Sequence, residues 1–191
     1  MMPGKLVIFS APSGSGKTTL VKYLLRQIPD LAFSVSACSR EKRPHEIHGR
    51  DYYFLTAEEF REKIRDGEFI EWEEVYHDHF YGTLRSEVEK LHSRGMNVVF
   101  DVDVKGGINI KRQYGEAALA LFIMPPSIEE LERRLTLRST ETRESMKARL
   151  EKARAEMAYA SRFDAIIIND ELEKAKKEAL QTVTRFISED E

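Results

Sequence analysis

Five short apolar runs, separated by stretches of helical periodicity, set the first expectation for this chain. They are KLVIFS (5–10), FSVSA (33–37), NVVFDVD (97–103), ALALFIM (118–124) and AIIIN (165–169). Their length and β-branched or aromatic content are those of buried parallel strands. TTLVKYLLRQI follows the first run with the period of a helix, and a Glu/Lys-rich amphipathic pattern from 171 closes the chain. This alternation predicts an α/β fold of right-handed βαβ units, with a mostly parallel sheet flanked by helices. Thr56 with Glu59, and Ser127 with Glu130 after Pro125-Pro126, have the spacing of helix-capping boxes.

The segment from about 39 to 83 breaks the rhythm. It holds DYYFL, one short helical stretch and FIEWEEVY, a more polar, alternating strand pattern. This predicts a small mixed α/β subdomain inserted between two core strands. No repeat or Pro/Gly/Ser linker divides the chain, so residues 1–191 read as one domain. Its core is expected at 1–35, 84–125 and 160–191, its inserted region at 36–83, and an arginine-rich helical segment at 126–159. At 41% hydrophobic and 33% charged, the chain can bury a core and stay in solution. A net charge of -3 offers no general attraction to nucleic acid. LVIF is too short for a membrane span, and the single Cys38 fits a reducing compartment. A cytoplasmic protein follows as the expectation, with neither nucleic-acid nor membrane partner, either monomer or homo-oligomer.

SAPSGSGKTT (10–19) lies between the first strand and the first helix. It approximates G-x-x-x-x-G-K-[ST], with Ala11 at the first glycine position. Gly14 and Gly16 allow consecutive backbone N–H groups to converge on phosphate oxygens at a helix N-terminus. Lys17 then reaches β- and γ-phosphates and the Thr18 hydroxyl ligates Mg²⁺. A glycine-rich turn with a chance lysine is the competing reading.

Ser36, Arg40, Arg43, Tyr52 and Tyr53 gather in SVSACSREKRPHEIHGRDYYF (34–54). Two arginines three apart can present forks to one phosphate, with hydroxyls completing its hydrogen bonds; solvated charges beside half-buried aromatics account for the same composition. Along 127–150, Ile128, Leu131 and Leu135 form an apolar face, while Glu130, Arg134 and Arg138 lie at i, i+4, i+8. A solvated Glu–Arg ladder explains that spacing, as does a set of cations for phosphoryl transfer. Asp101 falls at the carboxyl edge of a predicted core strand, where it orients Mg²⁺ through water, holds Lys17 or is purely structural. The five histidines have no metal spacing.

The order S-APSGSGKTT, SVSACSR-x-x-RP-x-E-x-HG-x-DY-x-F, EFIEW, YGT, DVD-x-x-G, PPS-x-x-x-L-x-x-RL-x-x-R and IIIND resembles guanylate kinase over nearly the whole chain. The resemblance implies a P-loop NTPase-type fold with an inserted GMP-binding subdomain and a helical lid. It implies transfer of the γ-phosphoryl group of MgATP to GMP, within purine metabolism. ATP would lie on Ala11, Pro12, Ser13, Gly14, Ser15, Gly16, Lys17, Thr18 and Thr19, with Asn169 at an adenine-contacting position; an asparagine capping the last helix is the simpler alternative. Ser36, Arg40, Arg43, Tyr52 and Tyr81 would hold the GMP phosphate. Glu71 would accept from guanine N1–H and N2, Thr83 would donate to O6, and Asp103 would face the same site. Lys17, Arg40, Arg134, Arg138 and Arg149 would serve catalysis. No general base is required, because the attacking GMP phosphate is already ionised.

Cys38-Ser39, Lys42, His45 and Lys105 depart from the usual pattern without removing any of these residues. A non-catalytic binding module of the same fold and a kinase for another acceptor are the competing functions. The intact Gly14, Gly16, Lys17 and Thr18 weigh against the first, and Glu71, Thr83 and Asp103 against the second. A switch GTPase would need an N-K-x-D run, which is missing.

Overall fold

Leu6, Val7, Ile8 and Phe9 are each 1% exposed or less, so the first strand, β1 (Leu6–Ser10), must be covered on both faces. The computed structural model, which describes residues 4–137 and 143–188, shows how the chain meets that demand. From β1 it runs through α1 (Lys17–Gln27), β2 (Leu31–Phe33), β3 (Ala37–Cys38), β4 (Tyr53–Phe54) and α2 (Ala57–Arg65). Then come β5 (Phe69–Tyr76), β6 (His79–Leu84), α3 (Arg85–His92), β7 (Asn97–Asp101) and α4 (Val104–Tyr114). It ends with β8 (Ala118–Met124), α5 (Ile128–Thr136), α6 (Arg143–Met157), β9 (Ala165–Ile168) and α7 (Leu172–Ser188).

Five strands form one parallel sheet in the order β2-β7-β1-β8-β9. Alternate side chains of β1 enter different cores. Leu6 and Ile8 join Phe100, Ile110 and Phe122 on the face covered by α4. Val7 and Phe9 join Leu20, Leu24, Leu121 and Val183 on the face covered by α1 and α7. The chain leaves β1 for one face and returns on both sides of it, through β7 and β8, which opens a crevice at their carboxyl ends.

The second sheet is mixed, in the order β4-β3-β6-β5. Its strands β3 and β4 are parallel, while β3–β6 and β5–β6 are antiparallel. A small aromatic core supports it: Phe60 of α2 stacks on Phe69 at 4.2 Å and on Phe80 at 5.3 Å between ring centres. The α2 helix starts at the expected capping box, with both the Thr56 and the Glu59 side-chain bonds formed.

Two expectations need correction. FSVSA is not one strand: Phe33 ends β2, and Ala37 begins β3 in the other sheet. The parallel register with β7 stops at Phe33, and the Ser34 N–H still donates to Val99 O at 3.0 Å before the chain crosses over. At α5, Ser127 accepts from the Glu130 N–H at 3.1 Å, but the Glu130 carboxylate does not close the box. It is taken by Arg133 and Arg134, each at 2.7 Å, because two guanidiniums outbid one backbone amide.

Phe60 is fully buried in the smaller core. Phe60→Ala is expected to cost about 3–5 kcal/mol of stability, measured by urea unfolding; a loss below about 1 kcal/mol would contradict the packing described.

Candidate active site

The loop after β1 is shaped by two glycines with left-handed backbone, Gly14 at φ 93° and Gly16 at φ 92°. A Cβ on Gly16 would also strike the Asn169 amide, so both conformation and space require glycine there. The Ser15 N–H donates to Pro12 O at 3.1 Å and closes the turn. Ala11, 7% exposed, packs into the core beneath the loop, so a methyl at this position is used rather than merely tolerated.

Lys17 and Thr18 open α1 and meet one partner. The Lys17 ammonium lies 2.5 Å from one Asp101 carboxylate oxygen and donates to Val102 O at 2.7 Å. Thr18 donates its hydroxyl to the other Asp101 oxygen at 3.0 Å. The β1–β7 register sets Asp101 opposite Phe9, immediately before the loop, which is why its carboxylate reaches both residues.

The remaining loop contacts come from the C-terminal half. Asn169, 4% exposed, donates its amide to Ser15 O at 2.7 Å. It does not cap α7, which begins at Leu172. Arg134 donates to Glu130 and to Asn169 O at 2.9 Å, so it lies behind the loop and away from the cleft lining. Arg149 on α6 donates to Ser13 Oγ at 3.0 Å. Arg138 lies outside the described residues.

A cleft of about 530 Å³ opens over the loop, lined by Ala11, Pro12, Ser13, Gly14, Gly16, Lys17, Thr18, Thr19, residues 101–103, Arg149, Lys152 and Glu156. Ser15 is buried under the loop and does not reach the cleft. A second cavity of about 540 Å³ lies on the second sheet and contains Ser36, Tyr52, Glu71, Glu73, Tyr81 and Gly82. Ser13, Asp101, Val102, Asp103 and Lys152 line both, so the two cavities meet at a common wall.

Glu71 projects from β5 towards α4, whose Gly106 leaves room for it: a Cβ there would come 2.8 Å from the Glu71 carboxylate. Thr83, directly opposite on β6, donates to Glu71 at 2.7 Å. Burial pushes the Glu71 carboxyl from 4.5 up to about 7; nearby Asp103 and Glu73 push the same way, and the Thr83 hydrogen bond opposes them. Asp103 is also the N-cap of α4, accepting from the Gly106 N–H at 2.7 Å. Glu73 is raised chiefly by the neighbouring Asp103 carboxylate, and Lys105 pairs with it at 2.9 Å.

The two arginines of the loop between β3 and β4 are placed differently from expectation. Neither Arg40 nor Arg43 lines either cavity. Arg40 makes a two-pronged contact with Glu46, at 2.7 and 2.5 Å, and lies over the Tyr52 and Phe54 rings. The Arg40 hydrogen bonds hold the Glu46 carboxyl down at about 2. Glu46, 8% exposed, also accepts the Arg43 N–H at 2.9 Å, while the Arg43 side chain is exposed. Lys42 donates to Glu46 O at 3.1 Å. Sequence reasoning gave Glu46 no role, although it stood in the RP-x-E-x-HG run, six residues after Arg40 and three after Arg43. It also passed over Lys152 and Glu156.

A glycine phosphate loop on a parallel sheet, sharing a wall with a second cavity on an inserted mixed sheet, defines a P-loop protein with facing donor and acceptor sites. That is the layout of a nucleoside monophosphate kinase. The sequence profile described as guanylate kinase matches residues 3–189. The chain is 56% identical over 189 residues to a guanylate kinase of Bacteroides thetaiotaomicron, covering 99% of this chain and 93% of that one. It is 50% identical over 188 residues to one of Salinibacter ruber, covering 98% and 100%. The crystal structure of guanylate kinase from Anaplasma phagocytophilum aligns with a TM-score of 0.75 at 28% identity, covering 99% of this chain and 89% of that one. The chain belongs to the guanylate kinase family.

Glu71 gives the site a pH signature. Between 4.5 and about 7 the folded chain holds a proton that the unfolded chain has lost. Stability from this group is therefore present at low pH and is lost as pH rises through that window. Glu71→Gln should reduce the slope and leave the nucleotide-free variant more stable than wild type at pH 8, by on the order of 2 kcal/mol. Urea unfolding at pH 5 and pH 8 checks this, and identical pH dependence in both proteins would refute it.

Proposed function

We propose that the cleft over the loop holds ATP and the cavity on the second sheet holds GMP, with the phosphoryl group passing between them at the shared wall. The chain is an ATP:GMP phosphotransferase, as its family membership over nearly the full length supports. The observation that carries the assignment of sites is Glu71, a buried carboxylate fixed by Thr83 in the cavity that adjoins the phosphate loop.

The chemistry of guanine fits that carboxylate. Ionised Glu71 accepts from N1–H and the N2 amino group together, and Thr83 turns its hydroxyl from Glu71 to O6. Adenine, with an unprotonated N1, would leave the carboxylate unpaired, a mismatch worth about 10⁴–10⁵ in specificity where a site is built around such bonds. Asp103 faces the same base. Ser36, Tyr52 and Tyr81 direct hydroxyls at the GMP phosphate. Arg40, steadied by Glu46, and Arg43 beside it bring positive charge to the mouth of the cavity.

On the donor side, the backbone of residues 11–16 wraps the ATP phosphates and Lys17 neutralises their charge. Arg149 approaches from α6, and Arg134 and Asn169 brace the loop at the adenine end. The segment 126–159 acts as a lid that excludes water as an alternative acceptor. The Thr18 hydroxyl and the Asp101 carboxylate, 3.0 Å apart, are the hard oxygen donors that suit Mg²⁺, with Asp101 acting directly or through water. Mg²⁺ held there supplies charge neutralisation at the β- and γ-phosphates. Among the described residues no helix is long and apolar enough to cross a membrane, and we assign the enzyme to purine nucleotide metabolism in the cytoplasm.

ADP release from MgATP, with GMP, AMP, UMP or dTMP as acceptor, tests the reading. GMP should be strongly preferred, and Glu71→Gln should lower kcat/KM for GMP by about 100-fold or more. The KM for GMP should rise as pH falls from 8 to 6 in wild type, because Glu71 must lose its proton to accept from guanine; Glu71→Gln should show only the titration of GMP itself. Binding of GMP without turnover would instead make the chain a non-catalytic module. For the metal, Thr18→Ala should raise the Mg²⁺ concentration for half-maximal rate by about 10-fold, and an unchanged requirement would remove Thr18 from the metal site.

A further inference from the structure

The shared wall carries one basic side chain that the roles above leave unused. Of the residues lining both cavities, Ser13, Asp101, Val102, Asp103 and Lys152, only Lys152 is cationic. It comes from α6, which presents Arg149, Lys152 and Glu156 to the ATP-side cleft at spacings of three and four, as one helix face does. The adjoining flank of the same helix is fixed by Leu150 and Ala153 against Leu131 and Leu135 of α5. Arg149 meets the loop at Ser13, and Lys152 stands one turn further along, where the loop cleft gives way to the cavity on the second sheet.

Around this ammonium the wall is acidic. Glu156, four residues on, is its ion-pair partner at 3.8 Å, long enough to orient the lysine without consuming its hydrogen-bonding capacity. Asp101 is engaged by Lys17 and Thr18, and Asp103 by the cap of α4, so neither carboxylate is committed to Lys152. The Lys152 side chain is 64% exposed, in contrast to Lys17 at 17%, and it has the length and freedom to follow a moving charge.

From this position we infer that Lys152 is a further catalytic residue of the phosphoryl transfer, a mobile cation that contacts the transferring phosphoryl group where the donor and acceptor phosphates meet. This rests on the assignment of ATP and GMP to the two cavities. Lys17 and Arg149 serve the donor end, and Arg40 and Arg43 the acceptor end; Lys152 neutralises the charge that accumulates between them. It moves no proton: the bond to the ADP oxygen breaks, the bond to a GMP phosphate oxygen forms, and the lysine stays protonated throughout. A solvated surface ion pair with Glu156 is the alternative, worth little to folding and nothing to rate.

The experiment compares wild type with Lys152→Ala and Lys152→Arg, by steady-state kinetics and by calorimetric titration with ATP, GMP and an adenosine–guanosine pentaphosphate that spans both cavities. Lys152→Ala should lower kcat about 10- to 100-fold, less than the loss of a fully enclosed arginine finger because the lysine is exposed. Its KM values for ATP and GMP should stay within about 2-fold, and Lys152→Arg should recover most of the rate. The spanning ligand should lose about 10-fold in affinity, while ATP and GMP bound singly lose almost none. A kcat within 2-fold of wild type with an unchanged affinity for the spanning ligand overturns the proposal. The two readings fail separately. Absence of GMP-dependent turnover in wild type counts against the assignment of the cavities, whereas wild-type turnover insensitive to Lys152→Ala counts against the lysine alone.

Discussion

The site is organised by Asp101, which ends β7, and the two residues that follow it. Asp101 takes Lys17 and Thr18 on its two carboxylate oxygens, Val102 gives its carbonyl to Lys17, and Asp103 caps α4. One short stretch of backbone, fixed by parallel pairing of β7 with β1, therefore sets the position of the donor loop and the floor of the acceptor cavity together. The Lys17–Asp101 pair is partly enclosed, with side-chain exposures of 17% and 18%, so its value to folding is small once desolvation is counted. Its value to function is geometric. Without the carboxylate, only the Val102 carbonyl would hold the ammonium in place.

The cavity on the second sheet is acidic at one end. Glu71, Glu73 and Asp103 crowd there, adding to the burial that chiefly raises the Glu71 carboxyl. Proton uptake relieves that crowding in the free protein; under the proposed function the paired N–H donors of guanine would relieve it in the complex, replacing a proton with a base. Arg40, on the loop between β3 and β4 and outside the cavity lining, has its charge held in check by Glu46 and by two aromatic faces. A free arginine cluster would attract any anion. An internal carboxylate partner such as Glu46 lowers that general attraction.

Much of this architecture was legible in the sequence, for physical reasons that also explain the gaps. The runs that became β1, β7 and β8 are apolar on both faces and admit no other placement. Thr56 and Glu59 cap α2 because neither has a better partner nearby, whereas Glu130 abandons the same task for two arginines. FSVSA was divided because period-two alternation does not reveal which sheet a residue joins. Glu46 and Lys152 stand among many charged residues, and charge alone does not distinguish a solvated face from a fixed partner. Asn169 was seen either as a base contact or as a helix cap. It does not cap the helix, and its amide donates to the Ser15 carbonyl of the loop, a contact 154 residues apart that no local pattern encodes.

The helices over the donor cleft are attached in two unequal ways. Leu131, Leu135, Leu150 and Ala153 bind α5 and α6 to each other through buried apolar surface, so the pair moves as a unit if it moves at all. Their ties across the cleft are of another kind: Arg149 donates an exposed hydrogen bond to Ser13, and Lys152 pairs with Glu156 of its own helix. Contacts of that sort are worth about 0–1 kcal/mol and are readily exchanged for a phosphate carrying full charge. Arg134 differs, since its bonds to Glu130 and Asn169 O anchor α5 behind the loop. Closure is thus expected to pivot on the Arg134–Asn169 anchor and to be driven by the cations of α6, with the apolar α5–α6 contact carried along intact. Under the proposed function, the energy for that motion would come from nucleotide phosphates met by the cations of α6.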